Sequence, residues 1–305
     1  AKQVYGKGDE NMNHIRRSKG EIIFSGFNYL ILTALMFLCL YPMVFVAFSS
    51  ISDSQLLTQH SGLLFKPLGF SLDAYKMVFR NPMIIKGYAN TLFVLVFGVS
   101  IQVFMTSLGA YFLSRKNVMW KTPIMFLITF TMFFSGGMIP FYLTIRDLKL
   151  TNSLWGLIIP FMISTYNMII MRTSFAGIPD SLEESAMLDG AGHFRILFTI
   201  VLPLSKAIIA VMVLYYGVSI WNGWFWASTL IRKREMYPLQ VILREILLSN
   251  DISSMSAGTD AGDQEAVGKT IKYATIIVAT LPILTAYPFL QKHFVKGVMI
   301  GAIKG

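Results

Sequence analysis

The sequence is poor in charge and nearly devoid of cysteine. Only 14% of its 305 residues are Asp, Glu, Lys or Arg, whereas 54% are apolar. An ordinary soluble domain carries about 25% charged residues, so a water-soluble globule of this size has no place for the apolar surplus. The single cysteine, Cys39, excludes an intramolecular disulfide. The composition therefore excludes disordered, fibrous and disulfide-stapled proteins, argues against a soluble enzyme, and favours an all-α membrane protein.

Several chemistries are also missing. The four histidines lie outside the apolar stretches and lack the spacing of metal ligands: His14, His60, His193 and His293. The interiors of the apolar stretches hold no ionisable residue, which disfavours a proton relay or a carboxylate site for sodium. Gly268-Lys269-Thr270 ends like a phosphate-binding loop, but Asp263 stands where that motif needs its first glycine. We therefore expect no catalytic residue, no metal site and no nucleotide site in this chain.

Six apolar stretches predict about six transmembrane helices. A helix needs about 20 apolar residues to cross the hydrocarbon core. The stretches cover residues 27–49, 87–113, 123–141, 154–171, 207–221 and 273–291. The fifth is the shortest, and we expect it to borrow residues from 201–205.

Basic residues predict the orientation. The short loop 114–122 contains Arg115, Lys116 and Lys121 but no acid, and short cytoplasmic loops are enriched in positive charge. An even number of spans then places both termini in the cytoplasm of a bacterium, with the chain as a multi-pass protein of the cytoplasmic (inner) membrane. The net charge of +10 suits anionic lipid rather than nucleic acid. The resulting division is an N-terminal tail 1–26, a transmembrane domain 27–291 with a core of about 87–290, and a C-terminal tail 292–305.

The longest polar segment on the predicted cytoplasmic side covers residues 172–206. Pro179 and Asp180 precede a helical pattern, and two capping boxes fit its start: Ser181 with Glu184, or Asp180 with Glu183.

Two glycines, Gly190 and Gly192, are expected to end this first helix through a left-handed turn. A second helix should follow, and Pro203 leads into the fifth span. The predicted apolar face of this second helix consists of Phe194, Leu197, Phe198 and Val201. We expect a helix-turn-helix that lies against the membrane.

The same segment resembles the cytoplasmic signature of the permeases of binding-protein-dependent ABC importers. That signature reads Glu-Ala-Ala, three residues, Gly, nine residues, Ile, one residue, Leu-Pro. This chain matches it with one departure, a serine for the central alanine. The resemblance implies a type I ABC importer permease fold, in which this loop docks into a cleft on the ATPase subunit. The implied coupling residues are Glu183, Glu184, Ser185, Ala186, Asp189, Gly190, Ile200, Leu202 and Pro203.

Further segments resemble the carbohydrate-uptake branch of that family. They are Asn90-Thr91, Tyr237-Pro238-Leu239-Gln240, the run 287–291 and the ending 294–305. This branch includes the second permease of maltose-type importers and, more similar still, permeases for larger glycans such as alginate or polygalacturonate. In the maltose-type relatives the tail reaches into the ATPase dimer, which implies that Lys304 and Gly305 contact the ATPase.

An aromatic cluster near the outer end of the fifth span is the candidate path for the solute. Sugar rings present C–H faces to aromatic planes and hydroxyls to amides, so tryptophan beside asparagine suits an oligosaccharide. The candidate residues are Asn90, Tyr215, Trp221, Asn222 and Trp224. The competing interpretation is that these aromatic residues only anchor helices at the membrane interface.

Taken together, the sequence predicts the transmembrane subunit of an ATP-driven sugar importer. The resemblance implies that this chain binds no cofactor, while ATP and Mg are used by two ATPase subunits. The other implied partners are a second homologous permease, an extracellular or periplasmic sugar-binding protein and the lipid bilayer. Two alternatives are a permease for a non-sugar solute and a membrane-embedded enzyme, and the second requires a catalytic His, Asp or Glu near the membrane surface.

Overall fold

The computed structural model describes residues 18–248, 267–285 and Pro288, and within this part the chain is helical without a β-strand. The segment 249–264, whose Ser, Gly, Asp and Thr content predicts a loop, lies outside the described residues, as do the tail 292–305 and therefore Lys304 and Gly305. The helices of the first half are α1 (Lys19–Ser50), α2 (Ser54–Gln59), α3 (Asp73–Arg80), α4 (Pro82–Ser114), α5 (Lys121–Phe133), α6 (Met138–Asp147) and α7 (Thr165–Ala176). Those of the second half are α8 (Asp180–Leu188), α9 (His193–Ile196), α10 (Leu202–Leu204), α11 (Lys206–Trp221), α12 (Phe225–Leu230), α13 (Leu239–Leu248) and α14 (Val267–Thr285).

Three helices, α1, α4 and α14, are each long and apolar enough to cross a membrane. Three further candidate spans are bent pairs of helices: α5 with α6, Leu154–Phe161 with α7, and His193–Leu204 with α11. The described part of the chain thus holds three candidate spans, or up to six if each bent pair counts as one. The positions of all six agree with the apolar stretches of the sequence.

Three of the apolar stretches were expected to be continuous helices, but each of them is bent. The third stretch breaks after Phe133, and α6 leaves at 111° because Gly137 adopts a left-handed φ of +85°. The fourth begins as 3₁₀ turns at Leu154–Leu157 and Ile159–Phe161, where Pro160 has no N–H to donate, and it turns by 50° before α7. The fifth stretch is bent by 86° at Ser205, so residues 201–204, which were expected to extend this span, belong to the first arm of the bent pair and not to α11.

Helix α4 is the centre of the molecule, and α7, α11 and α13 pack against it. Near its C-terminus α4 shares one buried cluster with α7, α9 and α11, which we call the loop end of the bundle. Near its N-terminus it shares a second cluster with α3, α11, α13 and α14, which we call the far end. At the far end Gly87 allows close contact, because a Cβ there would lie 2.5 Å from Cδ1 of Ile242.

Helix α1 lies outside this bundle, and none of its apolar span is buried. Its C-terminal half is attached by polar contacts: the Ser50 and Tyr75 hydroxyls lie 2.8 Å apart, and the Tyr41 hydroxyl accepts a 3.0 Å hydrogen bond from the Leu64 amide. The helix begins at Lys19 behind a capping box of Ser18 and Glu21. The predicted tail 1–26 is therefore already helical over its last eight residues, 19–26.

Between the apolar stretches, the sequence also predicts helices at 72–79 and at 238–248, where Leu239, Ile242, Leu243 and Ile246 recur at helical spacing. Both helices are present, as α3 and α13. In α13 the residues at helical spacing, Leu239, Ile242 and Ile246, are buried against the far end of the bundle. Helices α3 and α13 thus pack against α4 and α14 at the far end of the bundle.

Candidate functional site

The predicted coupling segment is fastened to the loop end of the bundle through one carboxylate. Glu183 of α8 is buried, with 11% of its side chain exposed, and forms an ion pair with Arg115 at the end of α4. The Tyr111 hydroxyl donates a 2.7 Å hydrogen bond to Oε1 of Glu183. Arg115 also donates from Nη2 to the Phe175 carbonyl, 3.1 Å away. Each charge of this buried pair compensates the other, so loss of either side chain would leave the other charge buried without its counter-ion.

The second helix of the loop reaches the same carboxylate. Nδ1 of His193, the first residue of α9, lies 3.3 Å from the Tyr111 hydroxyl and 3.8 Å from Oε1 of Glu183. Helices α4, α8 and α9 therefore meet at a cluster that consists of Tyr111, Arg115, Glu183 and His193, which we call the Glu183 cluster.

An exposed ion pair fastens the start of α8 to the loop after α4. The Lys116 ammonium lies 2.5 Å from the Asp180 carboxylate. Its hydrogen bond lowers the pKa of Asp180, and the same hydrogen bond raises the pKa of Lys116. Since both groups are exposed, this pair contributes little to stability.

Neither expected capping box forms. The N-cap of α8 is Pro179, and no side chain caps the helix. The box of Asp180 with Glu183 is absent because both carboxylates are held by cations outside the helix, Lys116 and Arg115. The box of Ser181 with Glu184 is absent because α8 begins at Asp180, so Ser181 already lies within the helix.

The turn between the two helices depends on Gly190. Its φ of +79° is left-handed, as predicted, and the Ala191 amide donates a 2.9 Å hydrogen bond to the Ala186 carbonyl. Gly192 has a φ of −76°, so its predicted left-handed role is wrong. Only one glycine is needed to reverse the chain.

The second helix of the loop is irregular, and its buried side chains differ in part from those predicted. Between α9 and α10 the chain forms a π-helix, Leu197–Val201. The buried side chains are Ile196, Leu197 and Val201, whereas Phe194 is 70% exposed and Phe198 is 46% exposed. Leu197 and Val201 are buried as predicted, but the predicted apolar face is wrong for Phe194 and Phe198, and Ile196 is buried in their place.

Some of the remaining signature residues are exposed, and others pack against the core of the loop end. Ala186, Ile200 and Leu202 are half-buried and pack against the core cluster of the loop end. The exposed residues that follow Glu183 in α8 and its turn include Glu184, Ser185, Met187, Leu188, Asp189 and Gly190. Pro203 is also exposed. Glu184 makes no hydrogen bond or ion pair within the part of the chain that the structure describes, in contrast to its neighbour Glu183.

A large cavity opens beside this exposed surface. Its volume is about 1090 Å³, and it lies between the loop after α4 and the helices α8 and α9. Its wall combines charged residues, Lys116, Asp180 and Glu184, with the apolar side chains of Met187 and Phe194. The site is thus a concave surface that combines charged and apolar side chains, and such a surface suits a protein partner.

Tyr111 and Arg115 are the site residues that sequence reasoning missed. In the sequence, Arg115 served only as one of the basic residues that predict the orientation. Tyr111 belonged only to the apolar stretch 87–113. Arg115 is the first residue after α4, but its pairing with Glu183 carries no sequence signal, because the burial of Glu183 follows only from the tertiary structure.

At the far end, the five candidate residues of the solute path do not form one site. Trp221 is 7% exposed, and its indole N–H donates a 3.1 Å hydrogen bond to the Ala279 carbonyl, so it is a core residue. The Asn90 amide donates to the Glu235 and Tyr237 carbonyls at 2.9 and 3.1 Å and so holds the segment before α13. Tyr215 lies on α11 with 38% of its side chain exposed.

Asn222 and Trp224 do come together, in the wall of a second cavity of about 300 Å³. The rest of this wall includes Phe161, Trp226 and Gln102. The Arg244 guanidinium packs against Trp224, with its carbon 3.6 Å from the ring centre. Of the five predicted path residues, Asn222 and Trp224 are the two that line this cavity, and the path itself stays a prediction.

The described residues, 18–248 and 267–285, include no cluster of three His, Cys, Asp or Glu side chains placed to hold a metal ion. Gly268, Lys269 and Thr270 form part of the first turn of α14.

Comparison with known proteins agrees with this architecture. The profile of a family described as "Binding-protein-dependent transport system inner membrane component" matches residues 23–300. The chain is 41% identical over 284 residues to the polygalacturonan/rhamnogalacturonan transport system permease protein YtcP of Bacillus subtilis (strain 168), which covers 92% of this chain and 96% of the relative. It is 39% identical over 293 residues to Protein LplC of the same organism, which covers 95% of this chain and 98% of LplC.

A solved structure is also similar. A chain in the crystal structure of a bacterial ABC transporter involved in the import of the acidic polysaccharide alginate superimposes with a TM-score of 0.83. Its sequence is 34% identical, and the match covers 91% of this chain and 99% of that one.

Proposed function

Since the chain belongs to the family of binding-protein-dependent transport system inner membrane components, we propose that it is the permease subunit of an ATP-driven importer for acidic oligosaccharides. As a member of that family it is a helical membrane protein and an ABC transporter permease, not an enzyme. The sugar class, the partners, the orientation and the roles of single residues are the proposal.

The proposed mechanism rests on one observation: of two adjacent glutamates, one is buried and the other is exposed. Glu183 is buried and joined to α4, whereas Glu184 and Gly190 are exposed on the same short helix and its turn. A partner that pushes on the exposed side of α8 would move α4 through Arg115 and Tyr111, and would move α9 through His193. The chain would then act by having two conformations whose relative stability the partner changes.

The partners follow from this mechanism. Two ATPase subunits would use ATP and Mg, and one of them would dock on α8 with Glu184, Ser185, Ala186, Asp189 and Gly190. A second, related permease would complete the translocation cavity, and an extracellular sugar-binding protein would deliver the solute. In this arrangement the loop end faces the cytoplasm, both termini are cytoplasmic, and the tail residues Lys304 and Gly305 contact the ATPase.

Two observations support an acidic sugar as the solute. Polygalacturonan and alginate, which the names of two similar proteins mention, are both built from uronic acids. In addition, Arg232 and Lys233 are exposed at the far end, between the cavity residues Ala227 and Pro238, and neither forms an ion pair within the described residues. Unpaired cations beside a sugar-sized opening attract carboxylates.

The test is transport by the complete complex in proteoliposomes. The permease pair, the ATPase subunits and the binding protein encoded with this chain are reconstituted, and uptake of radiolabelled trigalacturonate and maltotriose is measured with and without ATP. We expect ATP-dependent accumulation of trigalacturonate. Accumulation of maltotriose alone would refute the acidic class, and failure to import either, or bond cleavage by the isolated chain, would refute the proposed function.

A further inference from the structure

The loop between α1 and α3, residues 51–72, folds back along α1. Its two ends lie together, because the Ser71 amide donates a 3.0 Å hydrogen bond to the Ile51 carbonyl directly after the helix. Its middle lies further along α1, where the Leu64 amide donates a 3.0 Å hydrogen bond to the Tyr41 hydroxyl. Tyr41 precedes Ile51 by ten residues, which is about 15 Å of helix at about 1.5 Å per residue. The loop therefore returns along the last turns of α1.

A contact between α1 and α14 gives the level of the membrane boundary at this end of the bundle. Lys272 is the last charged residue before the apolar stretch 273–291 of α14, so Tyr273 marks the boundary. The rings of Tyr273 and Phe45 meet edge to face, with 5.8 Å between their centres. Because α1 reaches this end with its C-terminus, Tyr41 lies one turn, about 6 Å, deeper in the membrane than Phe45.

The apolar run of α1 gives the same level independently. No charged residue lies between Glu21 and Asp53. The hydrocarbon core takes about 20 residues of helix. Counted from Ile22, that core ends at Tyr41, and counted back from Ser49 it extends well beyond Tyr41 on both sides. In both placements Tyr41, and with it the middle of the loop, lies at the boundary or below it.

The residues beside Tyr41 have the composition of a membrane-interface segment. We call residues 60–66 the loop tip. Leu63 and Phe65 are 64% and 72% exposed, and exposed apolar side chains at this depth face lipid. Lys66 is also exposed, and a lysine can keep its ammonium among the headgroups while its stem lies on apolar surface. Interfacial helices bury their apolar faces about 5–10 Å into the headgroup and acyl boundary, and the depth of the loop tip is similar.

Two side chains satisfy backbone polar groups of the loop tip. Tyr41 accepts the hydrogen bond of the Leu64 amide, and Nε2 of His60 lies 3.3 Å from the Leu63 carbonyl oxygen. Irregular backbone near the hydrocarbon needs such partners, because water is scarce there. In a loop surrounded by water, solvent would supply both partners, so these contacts favour a tip that enters the boundary region.

We propose that the loop tip is a lipid anchor, in which Leu63 and Phe65 insert between the headgroups of the bilayer and the Lys66 ammonium pairs with lipid phosphate. The loop leads directly into α3, which packs against α4. The anchor therefore sets the level at which the far end of the bundle meets the membrane. It requires only that the chain is a membrane protein and depends neither on the solute nor on the partner subunits.

Phe65 and Phe70 provide a matched pair for the test. Both are phenylalanines of this loop, and their exposed fractions are 72% and 73%. Phe70 precedes Ser71, however, which is bound to the end of α1, about 9 Å outside the level of Phe45. In a Cys39→Ser background, Phe65→Cys and Phe70→Cys are each labelled with a nitrobenzoxadiazole fluorophore. The assembled complex is then placed in nanodiscs of phosphatidylethanolamine and phosphatidylglycerol.

Two quenchers report on the surroundings of each label. One is a phospholipid that carries a nitroxide near the top of its acyl chain, and the other is iodide in the buffer. For Phe65→Cys we expect lipid quenching that is about threefold stronger, and iodide quenching about threefold weaker, than for Phe70→Cys. Leu63→Cys should behave like Phe65→Cys, and it decides the question if that variant does not assemble.

Equal quenching of the labels at positions 65 and 70 by the lipid would place the loop tip in water and overturn the anchor. Protection of position 65 from both quenchers would mean that a protein, such as a second permease, covers the tip, and this result would overturn the lipid as its partner. Sugar uptake does not enter the measurement. A complex that imports no oligosaccharide would refute the proposed function and leave the quenching result valid.

Discussion

The hydroxyl of Tyr111 on α4 lies 2.7 Å from the carboxylate of Glu183 on α8 and donates a hydrogen bond to it. This contact joins α4, the longest of the described helices, to α8, in which the next residue, Glu184, is exposed. Together with the Arg115 ion pair, it fastens α8 to the bundle. The buried side and the exposed side of α8 therefore lead to separate predictions.

Removal of the Glu183 carboxylate should destabilise the protein. In Glu183→Ala the Arg115 guanidinium, with 12% of its side chain exposed, keeps its charge but loses its partner. We expect a loss of about 3 kcal/mol, as is typical when one member of a buried pair is removed. The measurement is thermal unfolding of the purified complex. Glu184→Ala is the matched control, and equal melting temperatures for the two variants would contradict the assignment.

Replacement of both members of the pair should restore much of that stability. The double variant Arg115→Met and Glu183→Met leaves no buried charge, and apolar substitutes of similar volume are often neutral at such sites. A double-mutant cycle should therefore show a coupling energy of about 2 kcal/mol or more between the two positions. Additive single effects would mean that the two side chains do not interact in the folded protein.

Substitution on the exposed side should affect transport and not assembly. We expect Glu184→Lys and Gly190→Asp to abolish uptake, because they invert charge or add bulk where the ATPase would dock, while membrane insertion and melting temperature stay close to wild type. Western blots of the membrane fraction and an uptake assay measure both. Full uptake by either variant with the ATPase still bound would refute the docking surface.

The left-handed backbone of Gly190 leads to a prediction about the stability of its variants. A Cβ at this position meets no atom within 4 Å, so the only penalty for a side chain is the φ of +79°. Gly190→Ala should then cost about 1 kcal/mol of stability, and Gly190→Asn should cost less because asparagine tolerates left-handed backbone. Thermal unfolding of the two variants gives this order, and equal costs would argue against strain.

The ion pair between Asp180 and Lys116 should depend on pH only at the extremes. The pKa of Asp180 is lowered, so its contribution is present above its ordinary value of about 3.9 and disappears as the pH falls through the lower value of the folded state. The pKa of Lys116 is raised, so its contribution is complete below about 10.4 and is lost only above that. The difference in melting temperature between wild type and Asp180→Asn should thus be small and constant from about pH 5 to 9. A steep change within that window would point to another group.

The parts of this structure that the sequence predicted are those that depend on local chemistry. The six apolar stretches, the helix 72–79 and the turn at Gly190 follow from hydropathy, periodicity and the freedom of glycine. The bends at Gly137 and Ser205 did not follow, because a hydropathy pattern is the same for a straight and a bent helix.

The site shows the same limit. Two adjacent acids, Glu183 and Glu184, are equivalent in sequence, and only the approach of Arg115 from another helix decides which of them is buried. Likewise Trp221 and Trp224 belong to one aromatic run, yet the first donates a hydrogen bond to Ala279 in the core and the second lines the cavity of about 300 Å³. Such assignments require the tertiary structure.

The most direct test of the account is cross-linking from the exposed side of α8. In a Cys39→Ser background, Glu184→Cys is treated with a bifunctional reagent in native membranes that contain the whole importer. The account predicts that the thiol captures an ATP-hydrolysing subunit and reacts with reagents only from the cytoplasmic side. A thiol that captures no such subunit, or that reacts with an impermeant reagent from outside, would contradict it.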